Sequence, residues 1–400
     1  MHPDKPIKKL FNSKRNWSKY LDKHLPELRK VVIENVTKML HCGSAAFGSK
    51  EYRCSDGDCT HRKYIHQTCK SRFCSICGIK ATERWIRQQQ HVFPDCDYQH
   101  ITLTLPSTLW FVFQKNRFLL NELFQCAANI FLGWAKQQNI EVGIFCALHT
   151  YGRKLNWNVH IHLSVTRGGL CQRTGTWKPI YFKAKTTEQC WRAAICQLLE
   201  KHYPQLKLSG EGCPYIRNKK DWSRFLISQY CRRWKLHFAK KTNNVKPTMN
   251  YLGRYLKRPP ISASRLRHSF KGSQVTFDYL NHRTGQTESL TLSPEALIGR
   301  MIEHIPDKHF KMIRYYGFLS NRKRGTMLPK VYAALDIVLG SAPEMPGYAA
   351  MLKGYAKLDP YSCVVCGRQM EFARFRSGES LSSLIEHTIV QSQIRSTYAS

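Results

Sequence analysis

Five cysteines, Cys54, Cys59, Cys69, Cys74 and Cys77, fall within twenty-four residues in a C-x4-C-x9-C-x4-C-x2-C array, with Cys42 upstream and His61 and His66 among them. No other stretch of the chain restricts its fold as strongly. Thiols at this density act as ligands, because a tetrahedral zinc ion takes four thiolates or imidazoles and nucleates the loops that carry them. A ribbon-like choice sets Cys54 and Cys59 with Cys74 and Cys77 around zinc, leaving Cys69 and Cys42 to compete or to join His66 at a second site. Near the other end, Cys363 and Cys366 in CVVCG form half a site with no evident second half, although His387 lies within reach in sequence. Clustered reduced cysteines belong in a reducing compartment.

The charge names the partner. Lys plus Arg number 63 against 27 Asp plus Glu, a formal net charge of +36 that far exceeds what solubility requires. Such an excess points to a polyanion, and the 12% of aromatic residues interleaved with it suits base stacking. From Lys207 to Lys271 seventeen basic residues face two acids. No apolar run has the length of a membrane span, and the basic opening MHPDKPIKKLFNSKRNW lacks the apolar stretch of a signal peptide. The expectation is a cytoplasmic, nucleoid-associated DNA-binding protein with no membrane partner and no nucleotide cofactor.

Periodicity divides the chain into an N-terminal cysteine module over 1–95, a mixed domain over 96–270 and a basic C-terminal region over 271–400. The first holds helix candidates VVIENVTKML and ERWIRQQQHVF. In the second, HITLTLP, EVGIFCALHT and NVHIHLSVT read as strands, and RFLLNELFQCAANIFLGWAKQQ, TTEQCWRAAICQLLEKH and DWSRFLISQYCRRWKLHFAKK as helices. The third holds short strands SQVTFDYL and ESLTLS, the basic aromatic stretch FKMIRYYGFLSNRKR, and a Gly/Pro-interrupted tail. The expected fold class is α+β, an antiparallel sheet with packed helices.

Alternation along NVHIHLSVT sends Val159, Ile161, Leu163 and Val165 one way and His160 and His162 the other. A hairpin turning around residues 154 and 155 sets His149 opposite His160. Three histidines with open positions suit Mg, Mn or another divalent cation that polarises a phosphate, and zinc is chemically possible. An isolated His-x-His is more often chance alternation on a solvated face, so the reading rests on its context.

Tyr251 and Tyr255 are spaced four apart, so a helical TMNYLGRYLKR stacks them on one face, roughly 5–6 Å apart at Cβ. A phenolate can attack a phosphodiester and conserve the broken bond as a phosphotyrosine ester. Arg254, Lys257 and Arg258 stand beside the pair as phosphate contacts. Tyrosines at this spacing are commonly packing residues, and Gly253 between them costs a helix about 1 kcal/mol; that glycine is also a place for close approach of a DNA backbone.

Taken in order, YRCSDGDCTHRKYIHQTCKSRFCSICG, LHTYGRKLNWNVHIHLSV, YLGRYLKRPPIS and CVVCG resemble the two-tyrosine HUH transposases of rolling-circle insertion sequences, the insertion sequence ninety-one family. The resemblance spans nearly the whole chain and implies an HUH-endonuclease domain after a zinc-ribbon-like module. It implies a transposase that cleaves single-stranded ends of its mobile element and target DNA, with Tyr251 and Tyr255 forming 5′-phosphotyrosine, His160 and His162 as metal pair and Zn in the cysteine module. His149 rests on the hairpin and on the three-histidine arrangement of related conjugative relaxases. The C-x4-C spacing at Cys54 and Cys59 departs from the commoner C-x2-C. Two other readings stay open: a plasmid rolling-circle replication initiator or relaxase, and a non-catalytic zinc-containing DNA-binding regulator.

Overall fold

A computed structural model describes residues 6–208, 216–240, 259–268, 274–281, 284–339 and 359–396, with Thr242, Met249, Gly253 and a few positions between 341 and 354. The chain divides into two compact units, each assembled from separated segments. The first joins Met1–Arg84, Lys257–Asp307 and Pro343–Ser400; the second joins Trp85–Leu256 and Lys308–Ala342. These units cut across the consecutive partition at 95 and 270 drawn from the sequence.

The second unit is built on a five-stranded sheet in the order Ile313–Gly317, Gly143–Tyr151, Trp157–Thr166, Tyr98–Thr104, Leu236–Phe238, antiparallel at every step. Period-two alternation sorts its faces. Val159, Ile161, Leu163 and Val165 are buried in one core with Ile101, Leu103, Ile144, Cys146 and Leu148. Helices Ser107–Lys115, Leu119–Gln137, Ala184–Lys201 and Lys219–Cys231 supply Phe113, Phe124, Phe131, Trp191 and Trp222 to that core. Leu120, Phe124, Ala127 and Phe131 recur every three or four residues, which is why one stripe of the longest helix is buried. Each such large apolar side chain contributes about 1.5–3 kcal/mol when fully buried. Phe145 and Ala147 belong to a separate cluster with Trp85, Ile86, Phe93, Tyr98, Met249, Phe318 and Val331.

Both edge strands come from segments that the sequence pattern assigned otherwise. The helix expected over DWSRFLISQYCRRWKLHFAKK ends at Cys231, and Leu236–Phe238 pairs with Tyr98–Thr104 instead. Trp234 forces the break: its indole N–H donates to the Gln229 carbonyl at 2.9 Å and its backbone N–H to Glu188 Oε1 at 2.9 Å. The opposite edge, Ile313–Gly317, lies in the stretch FKMIRYYGFLSNRKR. It ends at Gly317, with φ +61°, where an added Cβ would stand 1.7 Å from the Val142 carbonyl oxygen. Only glycine fits there.

The first unit holds helices Pro6–Asn12, Asn16–His24, Lys30–His41, Pro294–Glu303 and Leu381–Ser396 and two three-stranded antiparallel sheets. One sheet contains the expected strands as the hairpin Val275–Leu280 and Thr287–Leu292, with Leu266–His268 on its edge. In the other, Ser49–Cys54 lies between Arg62–His66 and Met370–Arg376. The last strand falls in what the sequence showed only as an interrupted tail. It is held by Glu51, 1% exposed, which accepts from Arg374 at 2.8 Å, Arg376 at 3.0 Å and Arg62 at 2.9 Å. Those bonds, led by Arg374, hold the Glu51 carboxyl down to about 2. Among the described residues no helix is long and apolar enough to cross a membrane.

Candidate active site and metal centres

The histidines owe their convergence to the hairpin. His149 pairs directly across from His160, and Ala147 across from His162, so the alternation of both strands puts all three imidazoles on one face. Gly152 N–H donates to the Asn156 carbonyl and Leu155 N–H to the Gly152 carbonyl, each at 3.0 Å, closing the turn where the sequence placed it. Leu155 adopts φ +58°, a left-handed conformation that costs about 1–2 kcal/mol and is offset by burial of its side chain. One nitrogen from each of His149, His160 and His162 lies within 4.8 Å of the others. Ring centroids stand 4.3 Å apart for His149 and His162, 4.9 Å for His160 and His162, and 5.2 Å for His149 and His160.

Burial makes His160 and His162 poor bases and available ligands. It pushes His160 down to about 4, and it drives His162 well below the ordinary histidine range, with the neighbouring imidazoles adding to the effect. His160 Nδ1 lies 2.9 Å from the Asn158 carbonyl, which can only accept, so Nδ1 carries the proton and Nε2 keeps its lone pair. His162 Nδ1 lies 3.1 Å from His100 Nε2 and 3.3 Å from Thr102 Oγ1, while His100 Nδ1 lies 2.9 Å from Ser164 Oγ. Ser164, His100 and His162 thus form a buried relay that orients the His162 ring from behind.

His100, Thr102 and Ser164 are missing from the residues that sequence reasoning selected. The signal was present: in HITLTLP, His100 and Thr102 alternate with Ile101 and Leu103, which puts them on the polar side of the sheet. Which side faced the histidines depended on pairing Tyr98–Thr104 with Trp157–Thr166, which no local pattern states.

Tyr251, Tyr255, Arg254, Lys257 and Arg258 lie outside the described residues. Two neighbours of that segment are described. Met249 is fully buried in the cluster that includes Phe145 and Ala147, residues that alternate in step with His149 on the same strand. At Gly253 an added Cβ would stand 2.7 Å from Ile86 Cγ1 and 3.3 Å from Trp85 Cε3. The close approach that calls for glycine here is that of the helix Ser75–Val92.

The cysteines form two clusters, and neither is the ribbon-like set. Cys42, Cys69, Cys74 and Cys77 come together, as do Cys54, Cys59, Cys363 and Cys366, each group with its sulfurs within 4.8 Å of one another. Cys54 and Cys59 sit at the turn end of the hairpin Ser49–Cys54 and Arg62–His66, whereas Cys42 and Cys69 flank its open end. At about 3.3 Å per residue, five paired residues separate the two ends by roughly 16 Å, which a single ion cannot span. His66 joins neither cluster, and His387 Nδ1 lies 3.4 Å from Glu379 Oε2. A cleft of about 630 Å³ in this unit is lined by Lys50, Lys70, Lys80 and Arg84 together with Tyr52 and Tyr361.

Known proteins share this organisation. The family described as "Putative transposase" matches residues 143–326, and the family described as "Transposase zinc-binding domain" matches residues 12–105. The transposase for insertion sequence element IS801 of Pseudomonas savastanoi pv. phaseolicola is 44% identical over 382 residues, 95% of this chain and 92% of its own. The chain belongs to the insertion sequence ninety-one transposase family. The "Putative transposase y4qJ" of Sinorhizobium fredii (strain NBRC 101917 / NGR234) is 28% identical to this transposase over 313 residues, 76% of this chain and 78% of its own. No solved structure matches it. Of the two family matches, one contains the histidines and the tyrosine segment, and the other contains Cys42 through Cys77; both stop short of Cys363 and Cys366. The transposase therefore carries a zinc-binding domain and an α+β domain with an antiparallel sheet, and the reading as a non-catalytic regulator falls away.

Proposed function

We propose that this transposase cleaves and rejoins single-stranded DNA at the ends of its element during rolling-circle transposition, with His149, His160 and His162 holding Mg or Mn and with Tyr251 and Tyr255 as nucleophiles. The observation that carries the reading is the convergence of the three imidazoles on one sheet face. The donor set fits a divalent cation: His160 and His162 are nitrogen donors whose rings are fixed from behind by Asn158 and His100, His149 adds a third imidazole, and three ligands leave coordination positions open for phosphate oxygens. When bound, the cation supplies charge that polarises a phosphate oxygen and holds the scissile bond in line.

The remaining chemistry belongs to the chain. The tyrosine oxygen attacks phosphorus, its proton departs, the bond to the 3′ oxygen breaks, and that oxygen takes up a proton. A 5′-phosphotyrosine ester and a free 3′-hydroxyl result, and a 3′-hydroxyl attacking that ester reverses the step without ATP. Two tyrosines allow two successive cleavages. Arg254, Lys257 and Arg258 contact phosphates beside them. The cleft with Lys50, Lys70, Lys80 and Arg84 supplies further phosphate contacts.

The test uses labelled single-stranded oligonucleotides from the ends of the encoding element, with and without Mn or Mg. A covalent protein–DNA adduct is expected with cognate ends and a cation, and none from Tyr251→Phe with Tyr255→Phe. An adduct that survives both substitutions removes the nucleophile assignment; absence of any adduct with the native chain removes the reaction.

A further inference from the structure

The second cysteine cluster draws its members from opposite ends of the chain. Cys54 Sγ lies 3.3 Å from Cys366 Sγ at a sequence separation of 312, and Cys59 Sγ lies 3.8 Å from Cys363 Sγ at a separation of 304. All four are free thiols. A tetrahedral site with Zn–S of about 2.3 Å sets sulfurs about 3.8 Å apart, the spacing of Cys59 and Cys363, while Cys54 and Cys366 stand closer and all four lie within 4.8 Å of one another. Apolar packing gives no reason to gather four thiols, whereas a metal does.

Each half is pre-shaped. Gly367 N–H donates to the Cys363 carbonyl at 2.9 Å, with Gly367 at φ +76°, making a tight turn around the C-terminal pair. On the other side Cys59 N–H donates to the Asp56 carbonyl at 3.1 Å. The halves are joined without metal as well: Cys54 pairs with Met370, Ser55 N–H donates to the Gln369 carbonyl at 3.0 Å, and Glu51 binds Arg374 and Arg376. His61 Nδ1 stands 3.2 Å from Cys363 Sγ, the place of an outer hydrogen-bond donor to a thiolate. Cys54 and Cys363 are 7% and 2% exposed, so half of the centre is shielded from water while Cys366 faces it.

We propose that Cys54, Cys59, Cys363 and Cys366 hold a second, structural zinc ion that clasps the C-terminal segment to the N-terminal cysteine hairpin. Four thiolates saturate the ion, so the site is closed and takes no part in phosphodiester chemistry. It is distinct from the Cys42, Cys69, Cys74 and Cys77 centre, and the zinc-binding family match at 12–105 cannot contain it. Its formation awaits synthesis of residue 366, so the cysteine hairpin is completed only 312 residues after Cys54. None of this depends on the proposed strand transfer.

Zinc is counted in the purified full-length protein after passage over a chelating resin. Cys363→Ser with Cys366→Ser is expected to lose one zinc per chain, Cys54→Ser with Cys59→Ser the same one, and all four together no more than one; His160→Ala in each background leaves that loss unchanged. Undiminished zinc in Cys363→Ser with Cys366→Ser overturns the proposal, as does iron in place of zinc. Cys366 is exposed, so Cys366→Ser alone disturbs packing least. In cobalt-substituted protein it should lower the thiolate-to-cobalt charge-transfer absorption while far-ultraviolet circular dichroism is retained. A spectrum identical to that of the native chain overturns the proposal even if the double variants fail to fold.

Discussion

The histidine trio and the second cysteine cluster are both sets of converging ligands, and they differ in how the chain assembles them. His149, His160 and His162 sit on two strands joined by one turn, so a hairpin and an alternation suffice. Cys54 and Cys59 meet Cys363 and Cys366 only through a strand pairing across three hundred residues. The chemistry differs in parallel. Three imidazoles leave positions open for substrate, whereas four thiolates leave none. On the proposed readings, the difference separates a part that reacts from a part that only holds.

His162→Ala breaks this comparison most sharply. Removing a ligand from an open site should cut the rate of covalent adduct formation by about 10³-fold or more, while the melting temperature and zinc content stay close to those of the native chain. Cys74→Ser should do the reverse, losing zinc and lowering the melting temperature, because zinc binding at a structural site is coupled to folding. If His162→Ala lowers zinc content and melts the chain as Cys74→Ser does, the histidines are structural and the division fails.

That division also explains what the sequence made legible. His149, His160 and His162 could be put together from residues 149–162 because period two and one turn are local properties. Helices Leu119–Gln137 and Ala184–Lys201 were legible for the same reason, as were the strands Val275–Leu280 and Thr287–Leu292, while Ser107–Lys115 was not read. The partners of Cys363 and Cys366 were not, since a C-x2-C pair says nothing about which distant strand it will meet. Density misled the zinc assignment: the ribbon-like choice joined Cys54 and Cys59 to Cys74 and Cys77, but the length of the Ser49–His66 hairpin sends the two pairs to different clusters. Glu51 was equally hidden, because the arginines that neutralise it at 374 and 376 are contributed by the far end of the chain.

His100 gives a smaller and more discriminating effect. It touches His162, and its loss should leave the proposed ligand set intact while loosening the His162 ring. His100→Phe is expected to weaken Mn binding about 10–100-fold, with adduct formation recovering as Mn is raised. Failure of any Mn concentration to restore activity would mean that His100 does more than position His162.

Glu51 tests the long-range clasp through pH. Its folded carboxyl is held at about 2 against an ordinary 4.5, so the stability it contributes is fully present above pH 4.5 and is lost as pH falls toward 2. Glu51→Gln should flatten the stability profile of the chain across that window, measured by denaturant midpoints at successive pH values. An unchanged slope would show that the arginine cage does not link the two ends.

The smallest effect concerns the tyrosine segment. Replacing Gly253 with Ala gains about 1 kcal/mol of helix propensity, but the new methyl would stand 2.7 Å from Ile86 Cγ1, and overpacking of that kind costs about 1–3 kcal/mol. A net loss of about 1 kcal/mol is expected for Gly253→Ala. Ile86→Ala removes the obstructing atoms at a cost of its own, so the double variant should be more stable than the sum of the two by at least about 0.5 kcal/mol. Strict additivity would mean that Gly253 and Ile86 do not touch. Coupling together with a fall in adduct formation by Gly253→Ala would tie that packing to the placement of the nucleophiles.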